Sequence, residues 1–558
     1  MEVTNALNKT NRRARLSPSV ASNLTHEGGV SHNLGVSADE DIKRLDLYLN
    51  TAALMLAGDT FYTTASEDIR RIVANIIEVM QLDRKHNDKF VLQLAAYLRQ
   101  KKLLRRTPQL VVVSAILSGS YDATTLAEYT SKVITRPDDA AELIAILNYF
   151  NEQEDLPHGS LPIAARDGIA RALSKFNEYQ LMKYELANKQ VRLIDVMRLC
   201  RNQLLGSNKT INAVFGYLDG KRSERVKYID ALPMTSARKK LFALKGTEFS
   251  AERCTQLVKQ ANVTWEQLVS QFGSTREVWE VLISLKLVPG MAFLRNIRNM
   301  LQAQVPVDKI VEAAAGISVD KVYPHQIVGA YSYLLNQPED NYKLADVKIV
   351  LDAIFSKVVD STDTQGITIV MPDFSASMNS TVGGGKSELT CKDVSIALGL
   401  LCAQTSGIMV PWASRAEVVP IRKGHFMGQV ETLNRVDVDH GTELHTAFKH
   451  LTDRKIYADR LIVISDMQVW PSGQSRYGKA EGTTFLDKYK KEVNPNVWVH
   501  SIDVRSNGTG QQFDPKNPKV SLMGGFTNDL LGMSIKAEQG VKEGKTAVES
   551  VLDEIRKM

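Results

Sequence analysis

Cysteine is scarce in this 558-residue chain, and its four cysteines, Cys200, Cys254, Cys391 and Cys402, never form a C-x-x-C pair. That spacing speaks against a disulfide framework or a zinc knuckle and predicts thiols packed as small apolar side chains. Long hydrophobic runs are missing too, since no window approaches the roughly 18 uninterrupted apolar residues of a membrane-spanning helix. The leading MEVTNALNKTNRRARLSPSV carries cations but lacks the apolar centre of a secretory signal, so a cytoplasmic protein without membrane contact is expected. Charge of one sign is not in excess either: 69 Lys plus Arg face 63 Asp plus Glu, and a net +6 over this length says little about partners.

What is present is the composition of a globular protein, 44% hydrophobic and 24% charged, with a length that predicts about two to four domains. The texture changes twice along the chain. Residues 1–40 are rich in Asn, Ser, Thr, Gly and Arg without periodicity and read as a flexible arm. Residues 41–360 are successive apolar segments of helical length, such as DIKRLDLYLNTAALMLAG, DKFVLQLAAYLRQK, LIDVMRLCRNQLL and MAFLRNIRNMLQAQ. Each places apolar residues at i, i+3, i+4 and i+7, and short polar links join them. A helix that hides one stripe needs a neighbour to cover it, so the region is either a solenoid of stacked helix pairs with degenerate repeats or an irregular bundle.

Residues 361–558 alternate β-branched runs, ITIVMPDF, IMVPWA, AEVVPI, RLIVISDM and VWVHSIDV, with helical stretches such as CKDVSIALGLLCAQT and FLDKYKKEV. Strand alternating with helix predicts a doubly wound sheet that binds ligands at the carboxyl ends of its strands. The first strand ends in Asp373, with Ser375 and Ser377 at the next alternate positions. Thr442 is expected to open the helix TELHTAFKHL after a polar loop, and Asp466 closes the strand LIVISD. Carboxylate and hydroxyl oxygens are hard ligands suited to Mg²⁺ or Mn²⁺.

The D-x-S-x-S triplet, the threonine and the aspartate resemble, in order and context, the metal-ion-dependent adhesion site of von Willebrand factor A domains. The resemblance implies that Asp373, Ser375, Ser377, Thr442 and Asp466 hold a divalent metal whose open position takes a partner's carboxylate. One departure is Pro372, which removes a backbone donor where the strand ends. A competing pattern, Gly385-Lys386-Ser387 between strand and helix, suggests a nucleotidase P-loop, but the first glycine of that motif is missing and the gap from the strand is long.

The basic residues are concentrated. Residues 161–250 hold 17 Lys plus Arg against 8 Asp plus Glu, which leaves the rest of the chain slightly acidic. Lys183, Arg192, Arg198 and Arg201 lie in KYELANKQVRLIDVMRLCR, with Arg198 and Arg201 three apart on one expected helix face. Lys221, Arg222, Arg225 and Lys227 follow, and then Arg238, Lys239 and Lys240. Three such runs on successive helices point to a phosphate-attracting surface for nucleic acid. Phe61 and Tyr62 could stack on bases, but aromatics at a helix edge are more often core. No His/Cys nucleophile pair or paired catalytic acid emerges from the helical region, so binding rather than catalysis is expected.

The segments GDTFYTTASED, KYELANKQVRLIDVMRLC, TREVWEVLISLKLVPGMAFLRNIRNM and VYPHQIVGAYSYL, in this order and ahead of the A-type region, resemble the Ro ribonucleoprotein (TROVE) family. The resemblance implies a ring of HEAT-like helical repeats followed by the A domain. It also implies a monomer that binds small Y-like noncoding RNAs on a basic outer surface and single-stranded 3′ ends of misfolded RNAs in a central hole. A nuclease or other protein would dock through the metal site. Lys183, Arg192, Arg198, Arg201, Lys221 and Arg222 are the expected RNA contacts. Where the family shows a more basic start to its contact helix and a histidine near the end, this chain has Glu185, Ala187 and Cys200-Arg201. The other class of reading is a metal-dependent protein adaptor without RNA.

Overall fold

A computed structural model of the chain describes residues 40–52, 65–152, 161–185, 191–206, 208–221, 223–319, 322–335, 344–359, 366–381, 389–403, 407–422, 424–466, 481–505, 513–514, 517–525 and 530–558. Residues 1–39 of the expected arm, Phe61, Tyr62, Arg222 and the Gly385-Lys386-Ser387 segment lie outside these residues. Among the described residues no helix is long and apolar enough to cross a membrane. All four cysteines are buried and free, as their isolation in the sequence predicts. Burial pushes the thiols of Cys200, Cys391 and Cys402 up to about 12.

The contacts divide the chain into two compact units, and the division does not follow the expected boundary at residue 360. Residues 91–318 form one unit, while 40–90, 322–335 and 344–558 form the other. The first unit is helical throughout. Its helices touch the next but one as well as the next: Arg106–Ser118 meets Pro137–Glu152, and Ala123–Val133 meets Ile163–Leu173. This is the contact pattern of stacked pairs and favours the solenoid over the irregular bundle. Side chains clip helix ends across the stack. Glu178 accepts from Thr235 N–H and Oγ1 at the start of helix Pro233–Phe242, and Arg238 donates to Ala261 O and Asn262 O at the end of helix Ala251–Ala261.

The second unit is built on a six-stranded sheet. Its strands are β1 (Thr368–Pro372), β2 (Ile408–Met409), β3 (Val419–Pro420), β4 (Arg460–Ser465), β5 (Trp498–Asp503) and β6 (Val520–Gly524). The order is β3-β2-β1-β4-β5-β6, and every neighbouring pair is parallel except β2 with β3. Each residue of β1, β4 and β6 is buried, which explains why β1 and β4 read as continuous apolar runs rather than as alternation. Winding outward in both directions from β1 and β4 makes the gap between them the switch point where such sheets bind ligands.

Helices assigned by sequence to the array belong to the sheet's unit instead. Helix Glu40–Ala52 lies on β6, where a Cβ at Gly524 would come 2.8 Å from Leu49 O, so only glycine permits the contact. Arg556 closes the same interface on Asp41 at 3.2 Å. Helices Pro324–Leu335 and Leu344–Val359 pack on helices Cys391–Cys402 and Phe426–Asn434. There Lys348 pairs with Glu431 at 2.7 Å, Tyr331 donates to the same carboxylate, and Asp352 accepts from Met427 N–H. An amphipathic stripe shows that a helix has a neighbour but not which one.

Candidate functional site

The carboxyl edge at the switch point gathers four of the five expected metal ligands into one hydrogen-bonded set. The β1 chain carries straight into it: Pro372 pairs with Ile464, its carbonyl accepts from Trp412 N–H at 3.1 Å, and Asp373 N–H continues the ladder to Ile464 O at 2.8 Å. The missing proline donor therefore leaves the strand end intact. Asp373 is fully buried, and its carboxylate accepts from Ser375 N–H and from Ser465 Oγ, both at 2.7 Å. Ser375 Oγ lies 3.3 Å from Ser377 Oγ, which donates to Asp466 Oδ1 at 3.2 Å. Burial pushes the Asp373 carboxyl up to about 6, against the hydrogen bonds from Ser375 and Ser465.

Among the described residues Thr442 makes no hydrogen bond to that set. The helix expected to begin there begins at His445, so Thr442 is a half-buried loop residue. The loop is held at the sheet edge by its own backbone, with Ala376 N–H donating to His440 O at 3.0 Å and Gly441 N–H to Ser414 Oγ at 2.9 Å. A Cβ at Gly441 would come 2.5 Å from Ser414 Oγ, so a larger residue there would have to turn the Ser414 hydroxyl aside.

Two members of the edge escaped sequence reasoning. Ser465 fixes the Asp373 carboxylate, and Asp503, the last residue of β5, adds a third buried carboxyl held far above its ordinary range by burial, with Asp466 adding to the shift. The usable signal was positional, because both close strands at the same edge. The donor set of two carboxylates and neighbouring hydroxyls suits a hard divalent cation, and every atom in it is oxygen. Among the described residues no group of three or more His, Cys, Asp or Glu side chains is arranged for a metal.

The basic stretch belongs to the helical unit, and it is not one helix. Helix Glu178–Tyr184 is followed, past residues outside the described set, by Leu193–Leu199, and Cys200 separates that from Arg201–Leu204. The expected cations fall into two kinds. Arg192 pairs with Glu185, and exposed Arg198 reaches Asp219 at 2.8 Å and Asp195 at 3.4 Å, so each is already offset by carboxylate. Lys183 instead sits 5.6 Å from the ring centroids of both Tyr179 and Tyr184, and exposed Arg201 lies 5.7 Å from that of Phe215. Lys221 is exposed. Tyr217, near Arg225 at 5.5 Å and Lys239 at 5.3 Å, completes a series of aromatic and cationic contacts. Aromatics interleaved with Lys and Arg between positions 179 and 239 were the signal for it.

The protein has one unit of stacked helices that carries a cation-bearing surface and one unit built on a doubly wound sheet. The sequence profile of the TROVE domain matches residues 30–247 and 240–321, and the chain belongs to the TROVE domain family. It is 24% identical over 309 residues to telomerase protein component 1 of Mus musculus, covering 48% of this chain and 12% of that protein. The Rattus norvegicus telomerase protein component 1 is 23% identical over 272 residues, covering 42% and 10% respectively. This chain thus spans about a tenth of the length of those relatives. The crystal structure of the Deinococcus radiodurans Ro (RSR) protein aligns with a TM-score of 0.57 at 14% identity, covering 89% of this chain and all of that one. At that identity the likeness is one of fold.

Proposed function

We propose that the protein is a noncoding-RNA-binding ribonucleoprotein component, acting as a cytoplasmic monomer in RNA quality control or in tethering an effector to RNA. The observation that carries the reading is the set of accessible cations on successive helices of a TROVE chain, of which Lys183 and Arg201 are held by aromatic rings rather than by carboxylates. Phosphate contacts from such cations give salt-sensitive affinity. Y-like small RNAs would bind this basic surface, with Arg192, Arg198, Lys221 and Arg222 as further contacts. Single-stranded 3′ ends would enter a central opening that excludes duplexes by shape. Filter binding of structured RNAs with and without a 3′ tail, across a salt series, tests this. Tail-dependent binding that weakens with salt and in Lys183→Ala/Arg201→Ala is expected, and tail-blind or salt-insensitive binding would overturn it.

The sheet edge is proposed to hold Mg²⁺ or Mn²⁺ as in von Willebrand factor A domains, through Asp373, Ser375, Ser377, Thr442 and Asp466. When bound, the cation supplies an electrophilic position for a carboxylate of an acidic partner, such as a nuclease. Within the chain, Ser465 orients Asp373, and Ser375 and Ser377 link it to Asp466. If RNA binding failed while metal-dependent capture of an acidic protein held, the adaptor reading would replace the first.

A further inference from the structure

We propose that Tyr217, with the two cations beside its ring, forms a phosphate clamp for the RNA backbone, at a contact point additional to Lys183 and Arg201. The inference rests on the RNA-binding reading above and deepens it. Three separate pieces of chain build the site. Tyr217 lies half-buried on helix Lys209–Asp219, Arg225 precedes the short helix Val226–Ile229, and Lys239 is exposed on helix Pro233–Phe242. The guanidinium carbon of Arg225 is 5.5 Å from the ring centroid and the Lys239 ammonium is 5.3 Å from it.

The ring attracts a cation through its quadrupole and brings no compensating charge, whereas an ion pair cancels the charge it holds. Arg225 and Lys239 are therefore positioned and still fully positive. Among the described residues neither forms an ion pair, and the buried Arg225 Nε has no hydrogen-bond partner there. Lys227 and Lys240 are exposed close by in the chain and are likewise unpaired among the described residues. Residues 217–245 hold eight Lys plus Arg against three acidic residues. Two of those three are engaged, Asp219 by Arg198 at 2.8 Å and Glu224 by the Lys221 N–H at 3.3 Å.

The chemistry fits a phosphodiester. Arginine offers planar paired donors to phosphate oxygens and lysine a point charge, and the phosphodiester oxygens they would meet are the same at every nucleotide. The contact is accordingly independent of sequence and sensitive to salt. Free phosphate shares that chemistry and is the source the test must separate.

The test uses the full chain and a labelled single-stranded RNA, with affinity read by fluorescence anisotropy across a salt series. Removing both charges in R225Q/K239Q is expected to lower the slope of log Kd against log salt by about 1.4, at about 0.7 per single-strand phosphate contact. Tyr217→Leu keeps the charges but removes their holder and is expected to weaken binding, while Tyr217→Phe retains the ring and the wild-type affinity. Should Tyr217→Leu melt early, the charge pair and the Phe variant still decide the matter. An unchanged slope in R225Q/K239Q, with wild-type protein still binding RNA, overturns the clamp and leaves the RNA reading standing. Wild-type protein that binds no RNA overturns both. If wild type and R225Q/K239Q bind RNA with the same salt slope while inorganic phosphate, read by calorimetry, binds wild type alone, the clamp takes free phosphate and the RNA backbone is not its ligand.

Discussion

The sheet edge and the helical surface handle charge in opposite ways. At the edge, Asp373, Asp466 and Asp503 are carboxylates withdrawn from water at adjoining strand ends, held by neutral hydroxyl and backbone donors such as Ser465 Oγ and Arg505 N–H. On the helices, Lys183, Arg201, Arg225 and Lys239 keep contact with solvent and rest on aromatic rings. Buried carboxylates are unfavourable until a cation arrives, because low dielectric penalises their charge. Ring-held cations are stable as they stand and act at a distance. The first arrangement suits a small ion held tightly, and the second a long polyanion gathered over many weak contacts.

The largest expected effect lies at the edge. Mg²⁺ at about 100 times its Kd should stabilise the wild-type protein by about 2.7 kcal/mol, and Asp373→Asn or Asp466→Asn should abolish that gain. Thermal melts with Mg²⁺ and with EDTA read it, and an undiminished response in both variants would remove the metal from the comparison. ATP should give no such stabilisation, and a gain that Lys386→Ala removes would revive the nucleotide reading. Next comes the packing that joins the first helix to the sheet. Gly524→Val should cost about 1–3 kcal/mol by overpacking against Leu49, and denaturant melts that show no loss would contradict that docking.

A smaller effect, of direction rather than size, concerns the opposite end of the sheet. His500 on β5 is buried, with Nδ1 2.8 Å from Ser521 Oγ and Nε2 3.0 Å from Glu538 Oε1, and Arg460 pairs with the same carboxylate. Because Glu538 can only accept, Nε2 carries the proton and Ser521 donates to Nδ1. Burial holds His500 below its ordinary range despite Glu538. Glu538 is itself held low by His500 and Arg460, although burial opposes them. Both groups have depressed folded values, so their contributions are present above the ordinary values and are lost as pH falls through the folded ones. Melting temperature should therefore fall on acidification below neutrality, and less steeply in His500→Gln; equal slopes would assign the acid sensitivity elsewhere. The smallest change is expected from Arg198→Ala. Its charge is already met by Asp219 and Asp195, so RNA affinity should drop less than in R225Q/K239Q, and a larger drop would invert the contrast between paired and ring-held cations.

Local pattern determined much of this protein. Helical periodicity marked the array, β-branched runs marked the sheet, and the D-x-S-x-S triplet with Asp466 marked a shared edge. These follow from short-range geometry, since side-chain period and strand polarity are fixed by backbone conformation within a few residues. Isolation of the cysteines likewise foretold free, buried thiols. Only the tertiary structure decided that Glu40–Ala52, Pro324–Leu335 and Leu344–Val359 join the unit of the sheet, because an apolar stripe fits any apolar partner. It alone placed Ser465 against Asp373 and Arg225 and Lys239 beside Tyr217, and showed that Arg192 and Arg198 are offset by carboxylates. A charge in a sequence has a sign, but its neighbours, and hence its availability to a ligand, exist only once the chain has folded.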